Sequence, residues 1–194
     1  MTSPSGLNAS IQALRVIAAK SSLKYVDVAA GDARGLILRM QYTARGSGVT
    51  SSSRSPLLAA EFPDRRYLIA SITKPIVAMT AVQLAADGHL ALNDAVRDHL
   101  PEFHRGPLRQ ITCEADRVQR AWGFGWRRNW LDHTATFSDF LAADAIGHWG
   151  ATGTMMWIDP VTSRWCVILT TQPYEQSRSA IQRMSNVVAV GHIT

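Results

Sequence analysis

Ser71-Ile-Thr-Lys74 is the segment of this 194-residue chain with the most chemical content. A spacing of three brings the Ser71 hydroxyl and the Lys74 amine to one side of a helical turn, within reach of a hydrogen bond. A serine hydroxyl is a weak nucleophile until a base takes its proton, and a lysine amine stripped of part of its hydration can be that base. A helix start at this point adds free N–H groups and the positive end of the helix dipole, which favour negative charge developing on an attacked carbonyl. The tetrapeptide by itself is weak evidence. Ser21-Ser-Leu-Lys24 has the same spacing, but it ends a helical run and leads into strand-like residues.

The element that must hold this pair is a helix over Thr73–Ala86. Pro75 falls in its first turn, Asp87-Gly88 closes it, and Thr80, Gln83 and Asp87 form a narrow polar stripe. So little polarity predicts a mostly buried helix, which would desolvate Lys74. Upstream, Leu7, Ile11, Leu14 and Ala18 recur at helical spacing after Ser5, a suitable N-cap, so residues 6–20 read as an amphipathic helix. Lys24–Val28 and Leu36–Thr43 read as strands between glycines, and residues 44–56 as a polar loop. Residues 90–101 read as a loop and a short helix halted by Pro101, while residues 104–120 carry no period.

Beyond residue 120 the texture turns to tryptophan and glycine. Thr152–Pro160 and Arg164–Thr171 form an expected antiparallel hairpin turning at Asp159–Ser163, and Ile181, Met184, Val187 and Val188 mark a closing helix over 175–189. The order helix, strands, helix, strands, helix indicates a single α/β or α+β domain on an antiparallel sheet. The N- and C-terminal helices are expected on one face and the Ser71 helix on the other.

Composition narrows the function classes. Twenty Lys+Arg against fifteen Asp+Glu leave a net charge of +5, but the arginines are scattered and no nucleic-acid motif accompanies them. A nucleic-acid partner is therefore not expected. Cys113 and Cys166 match neither a disulfide framework nor a zinc spacing, and both read as reduced thiols, Cys166 buried. No metal or cofactor is implied. The N-terminal residues lack the basic start and apolar core of a secretory signal, and no apolar run is long enough to span a bilayer, so a cytoplasmic protein is the default expectation.

Longer stretches carry a family resemblance. Tyr67-Leu-Ile-Ala-Ser71-Ile-Thr-Lys74-Pro, followed by Gln83-Leu-Ala-Ala-Asp-Gly-His-Leu-Ala-Leu-Asn-Asp94 and Leu100-Pro-Glu-Phe103, resembles the nucleophile helix and following segment of serine β-lactamases of the class C type and the related penicillin-binding proteins and esterases. Gly123-Phe-Gly-Trp126 and Gly147-His-Trp-Gly-Ala-Thr-Gly-Thr154 resemble the second block, in which a Lys-Thr-Gly or His-x-Gly triplet lines the pocket. The resemblance implies a β-lactamase/transpeptidase-like fold and a serine hydrolase acting on an ester or amide, β-lactam-like, through an acyl-enzyme. Ser71 would be the nucleophile and Lys74 its base. His148 would hold the electrostatic position on the strand, and the N–H groups of Ser71 and Ala151 would form the oxyanion hole. Gly150 would let the strand approach a ligand closely. Against the role for His148 stands a strand histidine bonded to backbone.

One part of the family pattern is missing. A Tyr-x-Asn, or its variant, belongs between the two blocks on a largely helical insert, and no tyrosine lies between Pro101 and Gly147. Most of the helical subdomain is thus expected to be absent, with residues 104–120 as a shortened connector. Its loss removes a proton-transfer partner and a pocket wall, which leaves a catalytically impaired protein with a binding role only as the alternative. Asp132, His133 and Asp139 could stand in for the tyrosine but read as loop residues. Trp122, Trp126 and Trp130 lie where the insert would pack, so an exposed apolar patch is expected, with self-association or partial disorder at residues 104–120 as its consequence.

Overall fold

A computed structural model describes residues 4–44, 65–104, 122–129 and 136–191. In chain order the elements are α1 (Pro4–Lys20), β1 (Tyr25–Asp32), β2 (Gly35–Thr43), a 3-10 turn (Ala70–Ile72), α2 (Thr73–Ala86), α3 (Val96–His99), a second 3-10 turn (Pro101–His104), β3 (Trp122–Gly123), β4 (Trp126–Arg128), β5 (Ile146–Gly150), β6 (Thr154–Asp159), β7 (Arg164–Thr170) and α4 (Tyr174–Val190). The fold is mixed α+β on antiparallel strands, as expected. The chain divides into two compact units, Met1–Ile72 with Arg128–Thr194, and Thr73–Arg127.

In the first unit the strands lie in the order β2-β1-β7-β6-β5, each antiparallel to its neighbour. Alternation sends Val26, Val28, Ala30, Leu38, Met40, Met155, Trp157, Cys166 and Ile168 to one face, all buried. That face is covered by α1 and α4, whose Leu7, Ile11, Leu14, Ala18, Ile181, Met184 and Val188 complete the core. Trp157 Nε1 donates to Ser185 Oγ at 2.9 Å, which satisfies the indole inside that core and ties β6 to α4. Cys166 is buried and its surroundings push the thiol far up, so it is inert. The Asp159–Ser163 turn forms as expected: the Asp159 carboxylate accepts from Val161 N–H at 3.0 Å and from Thr162 Oγ1 at 2.6 Å. One detail differs. Helix α1 begins at Pro4, which suits a first helical position, so Ser5 lies inside the first turn and does not cap it.

In the second unit α2 has the bounds that Pro75 and Asp87-Gly88 set, with Gly88 at φ +76° taking the left-handed conformation past its end. Its burial is the reverse of the expectation. Pro75 is the one buried residue of the helix, while Ile76, Val77 and Met79 are 52%, 60% and 57% exposed. Apolar residues encircle α2 instead of forming a stripe, and the described elements cover little of them. Phe124 and Gly125, at φ +44° and +75°, turn β3 into β4. The turn rests on α2 so closely that a Cβ on Gly125 would lie 2.7 Å from Ala78 Cβ and 2.8 Å from the Lys74 carbonyl oxygen.

The loop expected at 44–56 lies outside the described residues beyond Ala44. The connector at 104–120 does so beyond His104, and Cys113, Trp130, Asp132 and His133 lie outside them as well. Among the described residues no helix is long and apolar enough to cross a membrane.

Candidate active site

Ser71 is the middle residue of the 3-10 turn Ala70–Ile72, two residues before α2 starts at Thr73, and the turn is closed by Ile72 N–H donating to Ile69 O at 3.1 Å. The residue before it is strained: Ala70 has φ +47°, a left-handed conformation that costs a side-chain-bearing residue about 1–2 kcal/mol. Such a conformation persists only where the surroundings enforce it. Here Thr152 Oγ1 donates to Leu68 O, and Thr154 Oγ1 donates to Ile69 O at 3.2 Å. The two hydroxyls hold the two successive peptides that lead into the bend against the β5–β6 corner.

That corner is the Gly150-Ala-Thr-Gly153 turn. Gly153, at φ +79°, donates its N–H to Gly150 O at 3.0 Å, and its own carbonyl accepts from Thr170 N–H at 3.0 Å. Ala151 is exposed, and its carbonyl accepts from Tyr174 N–H at 2.9 Å, which fixes the turn to the start of α4. At Gly150 the requirement for glycine is steric. A Cβ there would collide with Ile69 O and Thr154 Oγ1 and lie 3.2 Å from Ala70 Cβ. The absent side chain is what lets the Ser71 turn lie on the strand.

His148, two residues before Gly150, shares its face of β5. It is 4% exposed, and Nδ1 donates to its neighbour's carbonyl, Trp149 O, at 2.6 Å. This is the backbone-bonded arrangement weighed against a catalytic one. Trp149 points to the opposite face, stacked on Tyr174 with centroids 6.0 Å apart and edge-on to Phe137.

The structure thus brings the Ser71 turn to Gly150, with Ala151 and His148 beside it on the same strand and corner. Lys74 is the second residue of the second unit, in the first turn of α2, and is exposed, so burial does not provide the desolvation expected for it. Asp139 accepts from Asn186 Nδ2 at 2.7 Å, a tie between the 136–141 segment and α4. Thr152 and Thr154, whose hydroxyls hold the Ser71 turn, were not singled out from the sequence, although both lie inside the Gly150-Ala-Thr-Gly-Thr154 block.

The Beta-lactamase family model matches residues 41–115, which include Ser71 and Lys74. The crystal structure of a β-lactamase from Mycobacterium bovis matches with a TM-score of 0.58 over 89% of this chain and 96% of that one, at 12% identity. The chain has a β-lactamase-like fold. The resemblance of its first block to the β-lactamase family holds as well. No curated protein matches the sequence. Within this β-lactamase-like fold, the second block, around His148 and Gly150, lies beyond the residues of the family match. There the structure shows Gly150 on β5 in contact with the Ser71 turn.

Proposed function

We propose that the protein is a serine hydrolase of the β-lactamase-related kind that attacks an ester or amide carbonyl, β-lactam-like, through Ser71. The observation that carries this reading is the delivery of Ser71. It sits on a strained turn, next to a residue at φ +47°, held by two threonine hydroxyls over a strand position where only glycine fits. Strain of this kind gathers where a side chain must be presented in one orientation.

In the proposed cycle Ser71 Oγ forms a bond to the carbonyl carbon and its proton passes to the Lys74 amine, acting as base. The C–O or C–N bond to the leaving group then breaks, and the leaving group takes that proton. Water attacks the resulting ester and returns the proton to Ser71 Oγ as the acid departs. The N–H groups of Ser71 and Ala151 would receive the negative charge on the carbonyl oxygen, and His148 would contribute to the electrostatic surroundings. Penicillin added to the protein is expected to raise its intact mass by one acyl group, and Lys74→Ala to slow that reaction at least tenfold.

A second reading is favoured by two observations: Lys74 is exposed, and Nδ1 of His148 is committed to backbone. Together with the missing Tyr-x-Asn motif these fit an impaired relative that binds a small ester or β-lactam-like ligand without turning it over. In that case penicillin binds reversibly and leaves no mass change. We also propose self-association, now through the exposed Ile76, Val77 and Met79 of α2. Of the tryptophans that first suggested it, Trp126 is half-buried. Sedimentation velocity would show a concentration-dependent shift that Val77→Glu removes.

A further inference from the structure

Asp27 stands on the sheet face opposite α1 and α4, where a carboxylate needs a reason to be half-buried. The strand registers place it in a row that runs straight across the first unit. Gln41 of β2 pairs with Asp27 of β1, Asp27 with Leu169 of β7, Leu169 with Thr154 of β6, and Thr154 with Gly150 of β5. The last two members of the row hold the Ser71 turn. Asp27, itself bonded by Gln41, meets the other end of the chain segment that leads to it. Gln41 Nε2 donates to Asp27 Oδ2 at 2.7 Å, and Arg65 Nη1 lies 3.6 Å from Asp27 Oδ1. Arg65 also donates to Tyr42 O at 3.3 Å and Thr43 Oγ1 at 2.6 Å, and its guanidinium lies over the Tyr25 ring at 4.9 Å.

Residues 65–69 have no helix or strand of their own, so these contacts at one end and Thr152 and Thr154 at the other define the path. Asp27 and Gly150 are three strand spacings apart in the row, about 14 Å. The five steps from Arg65 to Ala70 reach at most about 18 Å when fully extended, so the segment can bridge from one anchor to the other. A strap held by side chains at both ends, with no helix or strand between, takes its path from those ends.

We propose that Asp27, three strands from Gly150, is the anchor of this strap and a positioning residue for Ser71. The inference rests on the reading of Ser71 as a nucleophile. Burial supports it: Tyr67, on the strap, has its hydroxyl pushed up to about 12, first by desolvation and then by the Asp27 charge. The groups facing Asp27 are Gln41, Tyr67, Arg65 and Arg39. Two of them come from the strap itself, so the carboxylate and the strap enclose one another.

The test uses amide hydrogen exchange read by mass spectrometry, with fluorophosphonate labelling of Ser71 measured in parallel. In Asp27→Asn, exchange across residues 66–72 is expected to rise at least tenfold while segments 155–170 and 180–189 are unchanged. The maximal labelling rate is expected to fall about tenfold with unaltered half-saturation. Asp27→Glu, which keeps the charge, restores most of both. Arg65→Ala repeats the effect from the other partner and serves if Asp27→Asn does not fold. Unchanged exchange at 66–72, an equal rise throughout the unit, or no rescue by Asp27→Glu overturns the proposal. A parent protein that takes no label, with the strap still loosened in Asp27→Asn, removes the hydrolase reading and supports the anchor.

Discussion

Replacing Gly150 by alanine adds one methyl group at the point where the Ser71 turn meets the sheet. The new Cβ would collide with Ile69 O and Thr154 Oγ1, the acceptor and donor of a hydrogen bond that holds the turn, and lie 3.2 Å from Ala70 Cβ. Carbon contacts settle at about 3.5–4 Å, so the turn must retreat by about 1 Å. Overpacking of this kind costs about 1–3 kcal/mol, and the broken hydrogen bond about 1 kcal/mol more, which gives an expected loss of about 2–4 kcal/mol. A displacement of 1 Å in a reacting group costs about 100-fold in rate. Urea unfolding reads the first quantity and time-resolved fluorophosphonate labelling the second. Gly123→Ala is the control: its Cβ would meet nothing within 4 Å, and its effect should stay within about 0.5 kcal/mol. A Gly150→Ala protein as stable as the parent and labelled at the parent's rate would refute the contact between turn and strand.

Other consequences follow from the same contacts. Ala70→Gly should leave stability nearly unchanged, relief of the left-handed strain offsetting the chain entropy, whereas Ala70→Val should cost about 1–2 kcal/mol by urea unfolding. Ser185→Ala strands the buried Trp157 Nε1 and should cost about 1–3 kcal/mol, again by urea unfolding. Burial raises Asp27 above its ordinary 3.8 despite Gln41, Tyr67, Arg65 and Arg39. Its contribution to stability is therefore complete below 3.8 and lost as pH rises through the raised value. A series of unfolding curves across that window should decline for the parent and flatten in Asp27→Asn; equal slopes would contradict the assignment.

What the sequence showed and what it hid divide along the distance over which the cause acts. Pro75 and Asp87-Gly88 delimit α2 because helix ends are set by the residues at those ends. The Asp159–Ser163 hairpin was legible for the same reason: Asp159 closes its own turn. The exposure of α2 was not, since burial depends on what other elements cover, and an apolar helix reads the same whether covered or bare. The β3–β4 hairpin escaped because strands of two and three residues carry no alternation to detect. In the candidate site, motif and resemblance singled out Ser71 and Gly150, but the contact between them was not legible. Thr154 and Asp27 required the register of four strand pairs, which joins positions more than a hundred residues apart.

The central claim is that Ser71 is an activated nucleophile. The direct measurement is intact mass after exposure to a fluorophosphonate, with the modified peptide sequenced and Ser71→Ala run alongside. The account predicts a single adduct, located on Ser71 and absent from Ser71→Ala. A folded parent protein that takes up no adduct, or an adduct that persists in Ser71→Ala, would contradict it.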